Sequence, residues 1–216
     1  MRRKLSRREM LKGTAAAGAV SAVPTAAWPP LARGQDAAIP VTLAPESFRT
    51  LEAVVARLIP SDANGPGALE AGAAHYIDRA LSNALADAHE RYVAGLAALD
   101  ELARARSGRA FATLDSAAQD ELLHELEAGT GASERAELAG FFDLVLGHTL
   151  EGTFGDPYYG GNRDFIGWDM IGYPGLRLAV VPNDQRMSPL PQWRRSSAYE
   201  LPMFEGLDPD SEFDDG

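Results

Sequence analysis

The sequence predicts an all-α protein: a bundle of about five helices, then an irregular loop rich in glycine and aromatic residues, then an extended C-terminal arm. The first observation is that apolar residues between positions 46 and 150 recur at spacings of three and four, the period of an amphipathic helix. The second is that this region shows no strand-like alternation of apolar and polar residues. Helices with one apolar face bury it against each other, so a bundle is the expected architecture.

The first two helices are predicted on either side of a turn. The first runs from Glu46 towards Pro60, which closes it. Its apolar face consists of Phe48, Leu51, Val54, Val55, Leu58 and Ile59. Residues 61–67, SDANGPG, are dense in turn-forming residues. A second helical segment is expected from Ala68 to about Ala86.

Three further helices complete the predicted bundle. The third runs from about Ala88 to Arg106 and stops at Ser107-Gly108. The fourth spans about Ser116 to Ala128 and is entered through Asp115, a good N-cap residue. The fifth begins with Ser133 as N-cap and continues to about residue 150. Its apolar residues are Leu138, Phe141, Phe142, Val145 and Leu146.

Residues 151–175 form the predicted signature loop, EGTFGDPYYGGNRDFIGWDMIGYPG. Seven glycines and six aromatic residues in 25 positions disfavour a regular helix or a long strand. The rings must be buried in the domain or in a partner. We expect Phe154, Phe165 and Trp168 to pack inward on the fifth helix, and Tyr158, Tyr159 and Tyr173 to face a partner. Arg163 is expected to pair with Asp164 or Asp169.

The two ends of the chain differ from the helical body. Residues 1–35 read as an export signal, in which Arg7 and Arg8 precede an apolar run that resembles a twin-arginine signal. A linker is expected over residues 36–45, followed by the helical domain over 46–175. Residues 176–216 contain five prolines and an acidic end, which favour an extended, partly disordered arm.

The charge of the chain argues against two kinds of partner. The formal net charge is −11, and the export segment holds seven of the 20 basic residues but only one of the 31 acidic ones. The remaining body is therefore more acidic still, and it has no lysine. Direct binding to nucleic acid or to anionic lipid needs basic patches, so neither is expected.

The sequence offers little redox or hydrolytic chemistry of its own. It has no cysteine, so thiolate metal sites and covalent haem attachment are excluded, and it lacks the glycine motifs of nucleotide binding. One metal-binding alternative remains, with His148, Glu151 and Asp156 as ligands, since His and Glu three residues apart share a helix face. The other interpretation is that His148 and Glu151 fasten the end of the fifth helix to the following loop by hydrogen bonds.

A set of short motifs resembles the gluconate 2-dehydrogenase subunit 3 family. The pieces with the strongest likeness lie close together: His148-Thr149-Leu150-Glu151-Gly152, Phe154-Gly155-Asp156-Pro157, Tyr159-Gly160-Gly161-Asn162-Arg163-Asp164, Gly167-Trp168 and Gly172-Tyr173-Pro174-Gly175. The resemblance extends back to Ile59-Pro60 and Tyr76-Ile77-Asp78 and covers about residues 46–176. The remaining C-terminal residues lie outside it.

The resemblance implies a non-catalytic small, or gamma, subunit of a periplasmic sugar, sugar-acid or alcohol dehydrogenase complex. The large partner would be a flavoprotein of the glucose-methanol-choline type that holds FAD, often with a multihaem cytochrome c that carries haem as a third subunit. The small subunit would stabilise the flavoprotein, take it through the twin-arginine translocase, and reach the inner membrane only through its partners. The chain itself would hold no cofactor.

Tyr, Trp and Arg side chains dominate the energy of many protein interfaces. The residues expected to bind the partner are Tyr158, Tyr159, Asn162, Arg163, Trp168 and Tyr173. Two alternatives stay open from the residues: a metal-dependent enzyme that uses His148, Glu151 and Asp156, and an exported structural protein without a flavoprotein partner.

Overall fold

A computed structural model describes residues 40–63, 65–128, 133–175, 182–185 and 195–201. Over these residues the chain is mostly helical and contains no β-strand, so the all-α prediction is confirmed. The α-helices are α1 (Pro45–Leu58), α2 (Ala73–Ala80), α3 (His89–Ser107), α4 (Ser116–Ala128), α5 (Ser133–Phe154) and α6 (Ile166–Met170). Arg7 and Arg8 lie outside the described residues.

Helix α1 forms where the apolar pattern predicts it. Pro45 starts the helix, where its missing N–H costs nothing, and Glu46 and Arg57 complement the helix dipole at the two ends. Its inner face places Leu51 and Val55 in the core with no exposed surface. On its outer side Arg57 makes a two-pronged ion pair with Asp120 of α4, with nitrogen–oxygen distances of 2.7 and 2.8 Å.

Helix α2 is shorter than the predicted segment from Ala68 to Ala86, so that prediction is wrong at both ends. Residues 68–72 form turns, and Gly72 in the left-handed conformation (φ 80°) precedes the first helical residue. Residues 81–85 leave the helix through further turns, in which the N–H of Leu85 returns to the carbonyl of Ala80. Close approach explains the early turn, since a Cβ on Gly67 would lie 2.2 Å from the carbonyl oxygen of Ile59.

Helices α3 and α4 end and begin as the sequence indicates. Gly108 closes α3 in the left-handed conformation (φ 72°), and its N–H donates to the carbonyl of Arg104. Asp115 precedes α4 and its carboxylate accepts the N–H of Ala118 at 3.0 Å. This is the N-cap bond expected for an aspartate at that position.

Helix α5 is the centre of the bundle and contacts α1, α2, α3 and α4. Val145 has no exposed surface, and Phe141 packs against α3 at Gly95, where a Cβ would lie 2.4 Å from the ring. The helix continues to Phe154, so the first four residues of the predicted irregular loop are helical. Gly152 allows this, because its bare backbone lies against Ala73 and Tyr76 of α2. In the described chain, no helix is both long and apolar enough to cross a bilayer.

Candidate functional site

Asn162 is the centre of the loop that follows α5. Its side chain has no exposed surface, and its Nδ2 donates to the carbonyl of Gly155 at 2.8 Å. Its Oδ1 accepts the N–H of Gly167 at 2.8 Å, and its backbone N–H donates to the carbonyl of Gly152 at 2.7 Å. One buried side chain therefore joins the end of α5 to the start of α6 and fixes the path of the loop between them.

The backbone around Asn162 adopts a conformation that non-glycine residues rarely take. Asn162, Asp164 and Phe165 have φ values of 44°, 53° and 63°. Left-handed conformations of this kind cost free energy, and they persist where surrounding contacts hold them. Those contacts are the Asn162 hydrogen bonds and a bond from the N–H of Arg163 to the carbonyl of Ala71, 2.9 Å long. The loop is thereby tied to the turn before α2 as well as to α5.

Two glycines allow the loop to lie directly on the C-terminal end of α5. A Cβ on Gly161 would lie 2.0 Å from the carbonyl oxygen of Gly152, and one on Gly167 would lie 1.8 Å from that of Thr153. Real Cβ atoms do not approach so closely, so these two glycines are required for fit. The sequence predicts that glycines make this loop irregular, and their role in close packing becomes visible only in the fold.

The aromatic rings that are expected to pack inward do so to different degrees. Trp168 is buried, with 4% of its surface exposed, and its Nε1 donates to the carbonyl of Phe154 at 2.8 Å. Phe165 and Phe154 are half-buried. The Trp168 ring meets Phe165 at a centroid distance of 5.2 Å and Tyr173 edge-on at 4.9 Å. Trp168 therefore forms the apolar centre of the loop, with Tyr173 packed edge-on against its outer side.

A segment of the C-terminal arm, residues 195–201, crosses the loop and is called the strap here. Asp156 holds it by accepting the Ser197 hydroxyl at 2.6 Å and the Ala198 N–H at 2.8 Å. Tyr199 of the strap stacks on Tyr158 at 3.7 Å between ring centroids, and its hydroxyl lies 2.6 Å from that of Tyr159. Burial, and then the hydrogen bond with Tyr159, raise the pKa of Tyr199 to about 12.

An ion pair also ties the strap to α6. Asp169 pairs with Arg195 of the strap, and the expected ion pair of Arg163 with Asp164 or Asp169 is not formed. The Arg163 side chain instead lies against Gly72, with its Nη2 3.4 Å from where a Cβ would stand. Part of the predicted arm therefore packs on the domain rather than extending from it.

The residues expected to bind a partner divide into surface and interior groups. Tyr159 and Tyr173 each expose 39% of their surface, and the Arg163 side chain is also exposed. Tyr158 is half-covered under Tyr199, whereas Asn162 and Trp168 are buried and support the loop from within.

Two exposed residues of the loop were not among the predicted partner-binding set. Met170 and Ile171 expose 40% and 59% of their surface. The signal that could have found them is an apolar pair just before Gly172, outside the spacing that buries Trp168.

Four exposed apolar side chains of the loop, Tyr159, Met170, Ile171 and Tyr173, are called the outer loop face here. Beside it lies a cavity of about 400 Å³, whose lining includes Ile171, Tyr173 and Ala198 of the strap. Exposed rings and aliphatic side chains next to a cleft are typical of surfaces that contact another protein.

The three residues of the metal-binding alternative, His148, Glu151 and Asp156, each contact a different part of the structure. His148 Nδ1 lies 3.0 Å from the Tyr92 hydroxyl of α3, and the Glu151 carboxylate accepts the Tyr76 hydroxyl of α2 at 3.1 Å. Asp156 is occupied by the strap. Over the described ranges, no group of three His, Asp or Glu residues is placed to hold a metal ion. The expectation that His148 and Glu151 fasten α5 to the following loop is also wrong, because they fasten it to α3 and α2.

Burial shifts the pKa values of the groups around His148. It lowers the pKa of His148, although the nearby Glu151 acts in the opposite direction. It raises the pKa of Tyr92 and of Tyr76, with Glu151 adding to both effects. At neutral pH these groups are uncharged hydrogen-bonding partners, which suits a structural link between helices.

The structure is an all-α domain. A loop rich in aromatic residues is built around Asn162 and packs on the C-terminal end of α5. Residues 45–175 match the family model described as gluconate 2-dehydrogenase subunit 3, and residues 4–24 match that of the TAT (twin-arginine translocation) pathway signal sequence. Since the first match covers more than half of the chain, this chain belongs to the gluconate 2-dehydrogenase subunit 3 family. It also carries a twin-arginine export signal. Neither a curated protein nor a solved structure matches the chain.

Proposed function

We propose that this chain is the non-catalytic small subunit of a periplasmic dehydrogenase complex that oxidises a sugar, a sugar acid or an alcohol. The large subunit would be an FAD-containing protein of the glucose-methanol-choline type. The observation that carries the proposal is the combination, on one chain, of a subunit 3 domain over residues 45–175 and an export signal over residues 4–24. A subunit with its own signal can take a partner without one across the membrane.

The outer loop face is the proposed docking surface for the large subunit. Its side chains stand on a backbone that Asn162 and Trp168 hold in place, so little conformational freedom is lost when the surface is covered. Burying Ile171 and Tyr173 against another protein would remove apolar area from water, which is the main source of affinity in such contacts. Arg163 and Tyr158 would lie at the rim.

Export and membrane attachment follow from the assembled complex. Arg7 and Arg8 would direct the folded pair of subunits through the twin-arginine translocase. The body is acidic and carries no lysine, a composition that disfavours binding to anionic lipid, so attachment to the inner membrane would depend on partners. A multihaem cytochrome c subunit, which the family resemblance implies, is the proposed electron acceptor. The chain itself has no cysteine with which to attach haem.

Co-purification tests this function. The full chain, tagged at its C-terminus and isolated from its native host, is expected to bring down one large protein with flavin absorbance in a fixed ratio. Isolation of a stable monomer without flavin would support the alternative of an exported structural protein. A large subunit that is fully folded, active and exported when produced alone would contradict the proposed role.

A further inference from the structure

Asp156 is the point at which the strap is attached to the loop. Its carboxylate accepts three hydrogen bonds: from the N–H of Tyr158 at 2.9 Å, from the hydroxyl of Ser197 at 2.6 Å and from the N–H of Ala198 at 2.8 Å. Ser197 is buried, with 6% of its surface exposed, and its hydroxyl also accepts the N–H of Tyr199 at 3.1 Å. Hydrogen bonds to an ionised carboxylate are about twice as strong as neutral ones, so this attachment is firm.

The strap reaches from this attachment to both parts of the outer loop face. One part is Tyr159, which precedes α6, and the other consists of the three side chains at or after the end of α6. The Tyr199 hydroxyl lies 2.6 Å from that of Tyr159, and the two rings meet edge-on with their centroids 5.9 Å apart. Arg195 pairs with Asp169 of α6, the helix that ends just before Ile171. One short segment therefore contacts both parts.

The strap supports this face without covering it. With the strap in place, Tyr159 and Tyr173 each expose 39% of their surface and Ile171 exposes 59%. The strap lies along the side of the face, where Ala198 lines the cavity beside Ile171 and Tyr173. Helix α6 has five residues, and so short a helix is held mainly by its tertiary contacts. The ion pair with the strap is one of those contacts.

We propose that the strap is a brace that fixes the two parts of the outer loop face relative to each other, with Asp156 and Ser197 as its positioning residues. The inference rests on the proposed function, in which this face docks the large subunit. The partner that fits is one that contacts Tyr159 and the residues after α6 at the same time. Such a partner binds more tightly when both parts are already held in place, because ordering a loose surface on binding costs affinity.

Hydrogen exchange of the full chain tests the brace without any partner. Ser197→Ala removes the hydroxyl that holds the strap, and Tyr199→Ala removes the ring and hydroxyl that contact the loop. In both variants the amides of Tyr159 and Tyr173 are expected to exchange at least about fivefold faster. The amide of Val145 in α5 should keep its wild-type rate. Wild-type exchange at Tyr159 and Tyr173 in both variants would overturn the proposal.

Co-purification measures the effect of the brace on docking. Ser61→Ala is the matched control for Ser197→Ala, because the Ser61 hydroxyl donates to the Glu70 carboxylate at the same distance of 2.6 Å but lies outside the loop and the strap. With equal amounts of folded protein, Ser197→Ala is expected to retain about fivefold less of the flavoprotein that the wild-type chain brings down. The Ser61→Ala control should retain as much as the wild-type chain.

The same experiment separates this inference from the proposed function. A wild-type chain that brings down no flavoprotein would overturn the proposed function and, with it, the role of the strap in docking. If the wild-type chain retains the flavoprotein and Ser197→Ala retains as much as Ser61→Ala, only the role of the strap is overturned.

Discussion

Asn162 illustrates how one side chain can define a site without touching a ligand. It has both a donor and an acceptor, and it tolerates the left-handed backbone better than most residues do. From the sequence it is expected in the irregular loop and among the partner-binding residues. The fold places it inside the loop, bonded to Gly155 and Gly167. Its chemistry was readable from the sequence, whereas its burial depended on how the loop folds back on α5.

Replacing Asn162 should destabilise the protein through the loop. In Asn162→Ala the buried N–H of Gly167 and the partly buried carbonyl of Gly155 lose their hydrogen-bonding partner. Alanine also tolerates the left-handed backbone less well, so we expect the free energy of unfolding to fall by about 3 kcal/mol. Asn162→Gly is the matched control, since it loses the same bonds but tolerates φ 44°, and it should recover about 1 kcal/mol of this. Urea unfolding measures both, and an alanine variant as stable as wild type would contradict the role.

The histidines predict a dependence of stability on pH. Burial lowers the pKa of His75 and of His148 in the folded state below the ordinary value of 6.5. Their contribution to the free energy of unfolding is constant above pH 6.5. It is lost as the pH falls below this value, because the unfolded chain then binds protons more readily than the folded protein. Unfolding free energies measured well above and well below this pH should show the fall. The His75→Gln, His148→Gln double variant should show a smaller fall, and an equal one would contradict the assignment.

At the scale of elements, the helices were more predictable than their ends. Long one-sided patterns located α1, α3, α4 and α5. The second segment was overestimated at its start because the turn before α2 lies against the end of α1, where the N–H of Ala68 donates to the carbonyl of Ile59. Helix α5 was underestimated because Gly152 is favourable there only when α2 lies against it. Local preference is visible in a sequence, but close approach between distant backbones is not.

Gly→Ala variants at two positions inside helices distinguish the effect of helix propensity from the effect of packing. At Gly147 of α5 a Cβ would have open space around it, with no neighbouring atom within 4 Å, so Gly147→Ala should stabilise the protein by about 0.5–1 kcal/mol. Gly95→Ala of α3 has the same gain in helix propensity, but its Cβ would lie 2.4 Å from the Phe141 ring. This variant should therefore destabilise the protein by about 1–3 kcal/mol. Thermal unfolding of the two variants measures both effects. Shifts of the melting temperature in the same direction would contradict the described contact between α3 and α5.

For the whole molecule, the outer loop face should matter for assembly and little for folding. Ile171 is 59% exposed, so Ile171→Asp should leave the melting temperature nearly unchanged but weaken co-purification of the large subunit by about tenfold or more. Val93→Asp is the control, because Val93 is an exposed apolar residue of α3 outside the loop, with 44% exposed. Equal retention of the large subunit by both variants would contradict the choice of surface.

The family and the export signal were predictable because both depend on short ordered motifs. The proposed docking surface was only partly predictable, because burial of Asn162 and Trp168 and exposure of Met170 and Ile171 are set by the folded loop. The strap was not predictable at all. Its contacts join Tyr158 and Tyr159 to Tyr199, which lies far along the chain and shares no local pattern with them.

We propose that this chain carries a flavoprotein across the membrane, and cell fractionation tests that proposal. Cells producing the large subunit with either the wild-type chain or the Arg7→Lys, Arg8→Lys variant are separated into periplasm and cytoplasm, and dehydrogenase activity is assayed beside a cytoplasmic marker. We expect periplasmic activity with the wild-type chain and activity retained in the cytoplasm with the variant. Activity that still reaches the periplasm with the variant would contradict it.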